Sequence, residues 1–308
     1  MHSKIICIGS VLIDELFFCE EPVMKGTSNP ASMHRNIGGV ISNIAMNLHH
    51  LGCQTSIITV IGNDADASWI TDKFNSIGID LSGTIHTTGS TGRFSAILQP
   101  DGALYTAACM DPVGAQLTVS LLSSNVQQLI DADLIVIDTN PQTEVIQWVI
   151  DFCRQHNKKL IIETVSVAKA KKLATMNLDA VYLITPNEDE LLSMHKDAIN
   201  ESDIISELLI NGVLNIWVKK GSRGSVFYNA DGVNTFSALQ VEVKDTTGAG
   251  DSALAAWIAG YCRGLSLEDC VNLGHHMAAE MLKINGTVND QISFDQLMKF
   301  KQQHDNQS

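Results

Sequence analysis

Short apolar runs alternate with amphipathic helical segments from residue 117 onward, and this alternation limits the folds open to the chain. The apolar runs predict buried strands at Leu134–Ile137, Leu160–Ile162, Val181–Ile184 and Ile216–Val218. The segments between them predict helices at Thr118–Ile130, Thr143–His156, Glu188–Met194 and Glu201–Asn211. Because strands that lack polar alternation must be covered on both faces, the pattern predicts an α/β fold with a doubly wound, mostly parallel sheet.

The flanking parts of the chain extend this pattern and add a different one. Further strands are predicted at Lys4–Gly9, Thr55–Ile61, Val226–Tyr228 and Leu239–Val243, and further helices at Val40–Leu51, Asp64–Ile77, Ala249–Cys262 and Leu267–Lys283. Residues 12–37 and 84–108 do not alternate strand with helix, and Pro100-Asp101-Gly102 between two β-rich runs indicates a hairpin. We therefore predict one domain over residues 1–308, with a small β-lid formed from about 12–37 and 84–108.

The charge balance excludes several classes of partner. The 308 residues include 20 Lys and Arg against 34 Asp and Glu, which gives a formal charge of −14. A chain this acidic repels phosphate backbones and anionic lipid, so nucleic acid and membrane surfaces are poor partners. No apolar run reaches the roughly 18 residues that a bilayer span needs. The 7 cysteines lie mostly in apolar segments without C-x-x-C spacing, which is typical of reduced thiols in a cytoplasmic protein.

The strongest local signal is Asp245-Thr246-Thr247-Gly248-Ala249-Gly250-Asp251, between a predicted strand and a predicted helix. Its glycines allow close backbone approach, and the helix start supplies free N–H groups with partial positive charge. Together they suit a phosphoryl group, and Asp251 could accept the proton of an attacking hydroxyl.

Two alternatives explain the same segment. The first is a glycine-rich helix entry in which Asp251 is only an acid at the helix start. The second is a dinucleotide-binding turn at Gly248-x-Gly250-x-x-Ala253. The second needs a strand after its helix, whereas Leu265–Leu282 has the pattern of another helix.

Three further segments carry polar groups near predicted strand or helix ends. Gly38-Gly39 followed by Asn43 suits a polar small molecule, although a plain loop–helix junction has the same pattern. Asn187 and Glu190 have the spacing of a helix capping pair, and the same residues could hold a nucleotide phosphate and Mg²⁺. The segment Lys219-Lys220-Gly221-Ser222-Arg223-Gly224 fits either a nucleotide-binding loop or an ordinary β-turn.

These four segments, in this order, resemble the ribokinase-like family, the phosphofructokinase-B type of carbohydrate kinases. The resemblance runs from Ile5 to about Thr287 and is most specific in the segment DTTGAGD that ends at Asp251. The segment GGVISNIAMNLHHLG that begins at Gly38 supports it independently. The resemblance implies a doubly wound α/β domain with a small β-lid over the substrate. It also implies transfer of the γ-phosphoryl group of ATP to a sugar or nucleoside hydroxyl, with Mg²⁺ and a monovalent cation such as K⁺.

The resemblance also implies roles for individual residues. Asp251 matches the family's catalytic base, and the anion hole matches Gly248, Ala249 and Gly250. The positions that bind sugar hydroxyls match Asp14, Gly38, Gly39 and Asn43. The nucleotide side matches Asn187 and Glu190 (phosphate and Mg²⁺), Lys219, Gly221 and Gly224 (nucleotide loop) and His275 (beside the adenine). The backbone oxygens of a monovalent-cation site match the region of Asp245 and Thr247.

Within the family, three stretches are most similar to pseudouridine kinases: Ser28-Asn29-Pro30, the run from Gly38 to Leu48, and Val165-Ser166-x-x-Lys169. The similarity implies that Asn29 and Lys169 also bind substrate. Val40 stands where ribokinases usually carry a lysine after the glycine pair, which argues against free ribose. Glu163-Thr164 stands where pseudouridine kinases tend to have Asp-Pro.

The leading hypothesis is ATP-dependent phosphoryl transfer to a ribosyl hydroxyl, with pseudouridine converted to pseudouridine 5′-phosphate. A kinase of another nucleoside or sugar, such as a ribokinase, an adenosine kinase or a fructokinase-like enzyme, is the first alternative. A non-catalytic nucleotide-binding sensor on the same scaffold is the second, and the intact motifs argue against it. The expected partner is a small-molecule substrate, with no nucleic acid and no membrane. A homodimer formed through the lid is a further expectation.

Overall fold

The strands of the protein form three sheets in a computed structural model that describes residues 3–195 and 200–305. The strands are β1 Lys4–Ile8, β2 Leu12–Cys19, β3 Ala31–Gly38, β4 Gln54–Ile58, β5 Val60–Ile61, β6 Ile85–His86, β7 Gly92–Leu98, β8 Leu104–Met110, β9 Leu134–Asp138, β10 Lys159–Glu163, β11 Leu183–Ile184, β12 Asn215–Lys219, β13 Ser225–Asn229 and β14 Gly232–Phe236. The helices are α1 Val40–His50, α2 Ala65–Ile77, α3 Val119–Ser124, α4 Val126–Asp131, α5 Thr143–Gln155, α6 Val167–Ala170, α7 Glu188–Ser193, α8 Glu201–Ile210, α9 Ala249–Tyr261, α10 Leu267–Met281 and α11 Phe294–Asp305. Within the described ranges, each helix is too short or too polar to cross a membrane.

The largest sheet has its strands in the order β14-β13-β12-β11-β10-β9-β1-β4. The strands from β12 to β4 are parallel, and β13 and β14 extend the sheet as antiparallel strands. The chain moves from β1 to β4 on one side and later to β9 on the other, so the winding direction reverses at β1. This reversal leaves a crevice outside the carboxyl ends of the central strands. The predicted doubly wound α/β class is confirmed.

Two hydrophobic cores lie on opposite faces of this sheet. Along β9, Leu134 and Val136 belong to one core, and Ile135 and Ile137 belong to the other. Helices α1, α2, α9 and α10 pack in the first core, and α3, α5, α7 and α8 pack in the second. Every residue of β9 is buried, which explains why this strand shows a continuous apolar run instead of polar alternation.

A second sheet of four strands has the order β3-β2-β7-β8 and uses residues 12–38 and 92–110. Strand β2 pairs with β3 in antiparallel and with β7 in parallel orientation. Ile85–His86, inside the range predicted for the lid, instead pairs with Val60–Ile61 in a separate two-stranded sheet. The second sheet therefore begins later than the predicted 84–108 range and extends beyond it to Met110.

The predicted strand at Leu239–Val243 is wrong, because these residues lie outside the strands and line a cavity. The edge strand is β14, which pairs with β13 after a tight turn. In that turn, Oδ1 of Asn229 accepts a hydrogen bond from the backbone N–H of Asp231 (3.0 Å), and Gly232 has a φ of +138°. The side-chain turn at Asn229 and the glycine after Asp231 are typical hairpin signals, and the sequence analysis missed them.

Two other predicted elements are divided in the structure. The helix predicted over Thr118–Ile130 is two short helices, α3 and α4, separated at Asn125. The Asn125 side chain donates to the carbonyl oxygen of Leu121 (2.9 Å) and so competes with continuation of the helix. The strand predicted over Thr55–Ile61 is divided between β4 in the large sheet and β5 in the two-stranded sheet.

Charged side chains attach the second sheet to the start of α2. Arg35 on β3 and Arg93 on β7 both pair with Asp66, in the first turn of α2. Asp64, the N-cap of α2, accepts hydrogen bonds from the backbone N–H (2.8 Å) and the hydroxyl (2.7 Å) of Thr91. Two acidic residues at one helix start therefore fix the strands on either side of β2.

We predict that Asp66→Asn lowers the free energy of unfolding by about 1–3 kcal/mol, measured by urea denaturation. Arg35 and Arg93 would lose the carboxylate that they share, and Asp66 is only 6% exposed, whereas the arginines are partly hydrated and so limit the loss. Asp72→Asn, on the exposed face of the same helix, is the matched control. Equal losses in the two variants would show that the ion pairs do not stabilise the fold.

Candidate active site

Ionisable residues gather where the carboxyl ends of the parallel strands meet. Asp138 and Glu163 are the last residues of β9 and β10, and they are paired in register. Lys219 ends β12, and its backbone bridges to Asn187, which follows β11. Ligands of open α/β sheets bind outside this edge, at the point where the winding reverses. We therefore take this edge and the neighbouring start of α9 as the candidate active site.

Helix α9 begins against the side chain of Lys219. A Cβ on Gly250 would lie 3.3 Å from Nζ of Lys219. Gly248 precedes the helix with a φ of +73°, and a Cβ there would lie 2.7 Å from Cα of Thr287, so only glycine fits. Ala249 is the first helical residue. The predicted anion hole is thus a helix start with partial positive charge, which suits a phosphoryl group, although the N–H of Ala249 donates to the carbonyl oxygen of Thr246 (3.4 Å).

The loop before α9, where the sequence predicts a monovalent cation, is fixed by hydrogen bonds. Oδ1 of Asp245 accepts from the backbone N–H of Thr247 (2.9 Å) and Oδ2 accepts from that of Gly286 (3.1 Å). These bonds hold the approach to α9 against the segment that follows α10. The Asp245 side chain therefore stabilises the loop. The binding of a monovalent cation by the backbone oxygens of this loop stays a prediction.

Asp251 is held by a residue from the other end of the chain. Its Oδ2 accepts a hydrogen bond from Nδ2 of Asn43 on α1 (2.9 Å). Asn43 is buried, and its Oδ1 has no hydrogen-bond partner among the described residues. A buried acceptor of this kind costs free energy until a ligand hydroxyl or a water molecule donates to it. Asn43 therefore presents a free acceptor directly beside the Asp251 carboxylate.

The surroundings of Asp251 favour a proton acceptor that works near neutral pH. Part of the residue faces solvent, but burial of the carboxyl group and then the charge of Glu163 raise its pKa above the ordinary value. The hydrogen bond from Asn43 and the charge of Lys219 act in the opposite direction, and Asp14 adds a smaller upward shift. A carboxylate with a raised pKa is a better general base than an ordinary aspartate.

The glycine pair before α1 allows two close approaches. A Cβ on Gly38 would lie 2.0 Å from Cγ of Asp14, and one on Gly39 would lie 2.4 Å from the carbonyl oxygen of Ser10. Gly39 also has a φ of +93°, which side chains disfavour. Burial raises the pKa of Asp14 to about 6. The structure thus packs the Asp14 carboxylate on the backbone of the glycine pair, within electrostatic reach of Asp251.

Asn187 and Glu190 form the capping box that their spacing predicts. Oδ1 of Asn187 accepts from the backbone N–H of Glu190 (2.8 Å), and Oε2 of Glu190 accepts from that of Asn187 (2.9 Å). The same Oε2 accepts a second hydrogen bond, from the hydroxyl of Thr164 (2.6 Å). The cap is therefore real, and the carboxylate is held firmly at the strand edge.

The donor set at this edge fits a metal ion that is bound only partly by protein. Along the described ranges, no three His, Cys, Asp or Glu side chains are arranged to hold an ion by themselves. Mg²⁺ usually keeps several water molecules and takes one or two carboxylates together with substrate phosphates. Glu190 is nearly buried beside Lys219 and fits the single-carboxylate role.

A cavity of about 370 Å³ opens beside the start of α9. Its lining includes four of the predicted nucleotide residues, one residue of the predicted anion hole and part of the mispredicted segment Leu239–Val243, but not Asn187 or Glu190. These lining residues are Lys219, Gly221, Gly224, His275, Gly250, Leu239 and Val243. Gly224 has a φ of +92°, and a Cβ there would lie 1.9 Å from the carbonyl oxygen of Phe236. A larger residue at position 224 would therefore push against the end of β14 and against Ala238, which lines the cavity.

His275 is fixed as a neutral ring in the wall of this cavity. Its Nδ1 donates to the carbonyl oxygen of Ser237 (3.1 Å), so its Nε2 accepts from the hydroxyl of Ser225 (2.7 Å). Ser225 in turn accepts from the indole N–H of Trp217 (2.8 Å). Burial lowers the pKa of His275, and the ring lies nearly parallel to that of Trp217. A flat, uncharged surface of this kind suits a purine ring.

Two predicted substrate residues lie apart from this group. The Asn29 side chain accepts from the backbone N–H of Met24 (2.8 Å) and donates to the carbonyl oxygens of Met24 and Thr27, so its amide is engaged in its own loop. Lys169 lies on α6, and its charge, like that of Asp14, acts on the Cys109 thiol of the second sheet. The structure thus relates Lys169 to the Asp14 side of the site, but it does not bring Asn29 to it.

Two acidic residues at the strand edge were missed as candidates. Asp138 is fully buried, and a Cβ on Gly9 would lie 2.5 Å from its Cγ. Burial raises the pKa of Asp138 to about 7, although its carboxylate accepts two hydrogen bonds from Asn140. Glu163 forms an ion pair with Lys219 (3.0 Å). An acidic residue that directly ends a fully apolar strand was the available sequence signal at both positions.

Comparisons with known proteins agree with this geometry. The model of the pfkB family of carbohydrate kinases matches residues 2–293. The chain is 23% identical to the pseudouridine kinase of Escherichia coli over 295 residues, which are 94% of this chain and 93% of that protein. It is 26% identical to the cytidine kinase of Thermococcus kodakarensis over 291 residues, which are 91% of this chain and 96% of that protein.

The fold is also that of a solved ribokinase. The structure of Arabidopsis thaliana ribokinase with ribose and ATP superposes with a TM-score of 0.81 at 20% identity, over 98% of this chain and 99% of that one. At this identity the superposition shows the fold alone. Together with the family match across nearly the whole sequence, it leads to one conclusion: the chain belongs to the pfkB family of carbohydrate kinases.

Proposed function

We propose that this kinase transfers the γ-phosphoryl group of ATP to a hydroxyl of a ribosyl compound, with pseudouridine as the preferred acceptor. The observation that carries the proposal is the contact between Asn43 and Asp251 at the positive start of α9. It supports the proposal because a carboxylate, an amide oxygen without a partner and a helix start lie side by side, and these can serve as proton acceptor, hydrogen-bond acceptor and anion site. A phosphoryl-transfer enzyme needs these three features to orient and activate a hydroxyl.

The acceptor hydroxyl is deprotonated by Asp251 as it attacks. The free Oδ1 of Asn43 and the carboxylate of Asp14 accept hydrogen bonds from neighbouring hydroxyls of the sugar and so orient the ring. The N–H groups at the start of α9 stabilise the negative charge that spreads over the transferring phosphoryl group. The second sheet acts as the lid. Its strand β2 carries Asp14, and its strand β3 ends at Gly38, the first glycine of the pair.

The cavity beside α9 holds the nucleotide. His275 lies against the adenine, and the loop with Gly221 and Gly224 lies along the sugar and phosphates. Glu190, with Asn187 beside it, would hold Mg²⁺ through the phosphates and water. The ion supplies charge neutralisation for the phosphate groups. A monovalent cation such as K⁺ in the loop of Asp245 and Thr247 would add positive charge near the same helix start.

The preference for pseudouridine rests on the sequence around the glycine pair. Val40 follows the pair and leaves this corner of the site uncharged, which suits a flat pyrimidine ring better than free ribose. One relative is a pseudouridine kinase (23% identical) and another is a cytidine kinase (26% identical). A kinase of another nucleoside or sugar is therefore the second candidate. A non-catalytic sensor is disfavoured, because Asp251 keeps its hydrogen bond from Asn43 and Lys219 keeps its ion pair with Glu163.

Two further features belong to the proposal. The protein acts in the cytoplasm, where ATP and free nucleosides meet. It forms a homodimer through the second sheet, which exposes large apolar side chains on three of its strands: Met33, Ile97, Leu104 and Met110. Contact between two such sheets would remove these side chains from water.

The substrate assignment predicts an order of kcat/KM, measured by ADP release on a panel of acceptors: pseudouridine above uridine, and uridine above free ribose. A 2′-deoxyribosyl acceptor should be poorer than its ribosyl parent, by up to ~10⁴, because the buried Asn43 and the partly buried Asp14 acceptors would stay unpaired. A clear preference for ribose or cytidine would contradict the pseudouridine assignment and leave the kinase assignment intact. No phosphoryl transfer to any acceptor would contradict both.

We predict that Asp251→Asn lowers kcat by about 10²–10⁴, because the amide keeps the shape of the side chain but cannot accept the proton. ADP affinity, measured by calorimetry, should change little, since the start of α9 is intact. Asp231→Asn, in the exposed turn before β14, is the control. Near-normal turnover of Asp251→Asn would show that another group is the base.

The double assignment of Glu190 as cap and metal ligand also makes a prediction. In Glu190→Gln, the remaining side-chain oxygen can accept the hydrogen bonds from Asn187 and Thr164, so the melting temperature should hardly change. The Mg²⁺ concentration needed for half-maximal rate should rise, because the carboxylate charge is lost. A magnesium titration identical to that of the wild type would assign Glu190 to the cap alone.

A further inference from the structure

We propose that Glu163 is a positioning residue for phosphoryl transfer: it holds the ammonium group of Lys219 at the start of α9, where Lys219 contacts the phosphoryl group as it moves. The inference rests on the proposed kinase function and adds to it a cation and the carboxylate that orients this cation. Glu163 and Lys219 lie outside the segment Gly248-Ala249-Gly250-Asp251, at the ends of the two strands β10 and β12.

Lys219 lies between the two halves of the proposed site. Its side chain lines the nucleotide cavity. Its Nζ would be 3.3 Å from a Cβ on Gly250, the residue before Asp251. A phosphoryl group that travels from a nucleotide in the cavity to a hydroxyl at Asp251 must therefore pass beside Nζ. A cation fixed on this path stabilises the charge on the equatorial phosphoryl oxygens without having to reorganise.

The electrostatic surroundings keep Lys219 charged. Burial alone lowers the pKa of an ammonium group, but the negative charges of Glu163 and Glu190, followed by that of Asp251, raise the pKa of Lys219 above its ordinary value. The lysine is thus a permanent cation between three carboxylates. The group retains a net negative charge, so a divalent cation that accompanies the phosphates would be attracted to it, while Lys219 supplies the positive charge for the phosphoryl oxygens.

Glu163 is itself held on both carboxylate oxygens. Oε1 accepts from Nζ of Lys219 (3.0 Å), and Oε2 accepts from the backbone N–H of Val165 (2.6 Å). Val165 has a φ of +62°, and the N–H of Ser166 bonds back to the carbonyl oxygen of Thr164 (2.7 Å), which closes a tight γ-turn. A β-branched residue adopts this conformation only where surrounding contacts impose it. The turn therefore aims Glu163 at Lys219.

The test compares Glu163→Gln, Lys219→Met and the double variant with controls at an ion pair outside the site. Arg154 pairs with Asp151 on the partly exposed side of α5 (2.8 Å), and neither residue lines the cavity. Arg154→Met and Asp151→Asn should keep the wild-type kcat. Lys219→Met should lower kcat by about 10²–10³, as expected for the loss of one preorganised contact to the transition state. Glu163→Gln should lower kcat by roughly tenfold or more, since the Lys219 ammonium group remains but is no longer held in one orientation.

The pH profile of kcat supplies a readout that a purely structural role would not move. Asp251 must be deprotonated to act, so its pKa sets the acidic limb. Glu163 and Asp14 raise this pKa, and Asn43 and Lys219 lower it. Glu163→Gln should therefore shift the acidic limb to lower pH and Lys219→Met should shift it to higher pH. In the double variant the limb should return towards the wild-type position while kcat stays low.

Two results would overturn the inference while the wild type remains an active kinase. One is a Lys219→Met variant with kcat within threefold of wild type. The other is a double variant that recovers wild-type kcat, because the pair would then only tune Asp251. If Glu163→Gln does not fold, as judged by thermal melting, the double variant decides alone, since it leaves no unpaired buried charge. A wild type that transfers no phosphoryl group would instead contradict the proposed function.

Discussion

The hydrogen bond from Asn43 to Asp251 is the contact on which the rest of the candidate site depends. It joins α1, near the start of the chain, to α9, near its end, and the two helices share one hydrophobic core. The sheet makes the contact possible, because β1 lies between β4 and β9 and brings the glycine pair to the edge where α9 begins. Without Asn43, the Asp251 side chain would lose the hydrogen bond that orients it in the first helical turn. With it, the carboxylate has one orientation and a neighbour that awaits a hydroxyl.

The sequence predicted the parts of this protein that are encoded locally. Continuous apolar runs such as Leu134–Ile137 identified strands that are buried on both faces, and the spacing of Asn187 and Glu190 identified a real capping box. Local patterns failed where tertiary contacts decide. Leu239–Val243 has the composition of a strand, yet its side chains line a cavity. Glu163 and Lys219 are 56 residues apart in the sequence, so no local pattern could pair them.

The capping box shows that a structural role and a functional role need not compete for the same residue. Two donors converge on Oε2 of Glu190: the backbone N–H of Asn187 and the hydroxyl of Thr164, which follows β10. The cap fixes the carboxylate in space, as a ligand to a partly hydrated ion requires. The glycines likewise have two roles, because they shape turns and also leave room for Asp14 and for the start of α9.

The γ-turn at Val165 has a consequence for how the protein can evolve. A β-branched residue with a left-handed backbone stores on the order of 1–3 kcal/mol of strain, which the rest of the fold must offset. Glycine at this position would release the strain and make the protein more stable. It would also loosen the segment that orients Glu163. Selection for thermal stability therefore favours glycine at position 165, whereas selection for turnover favours valine.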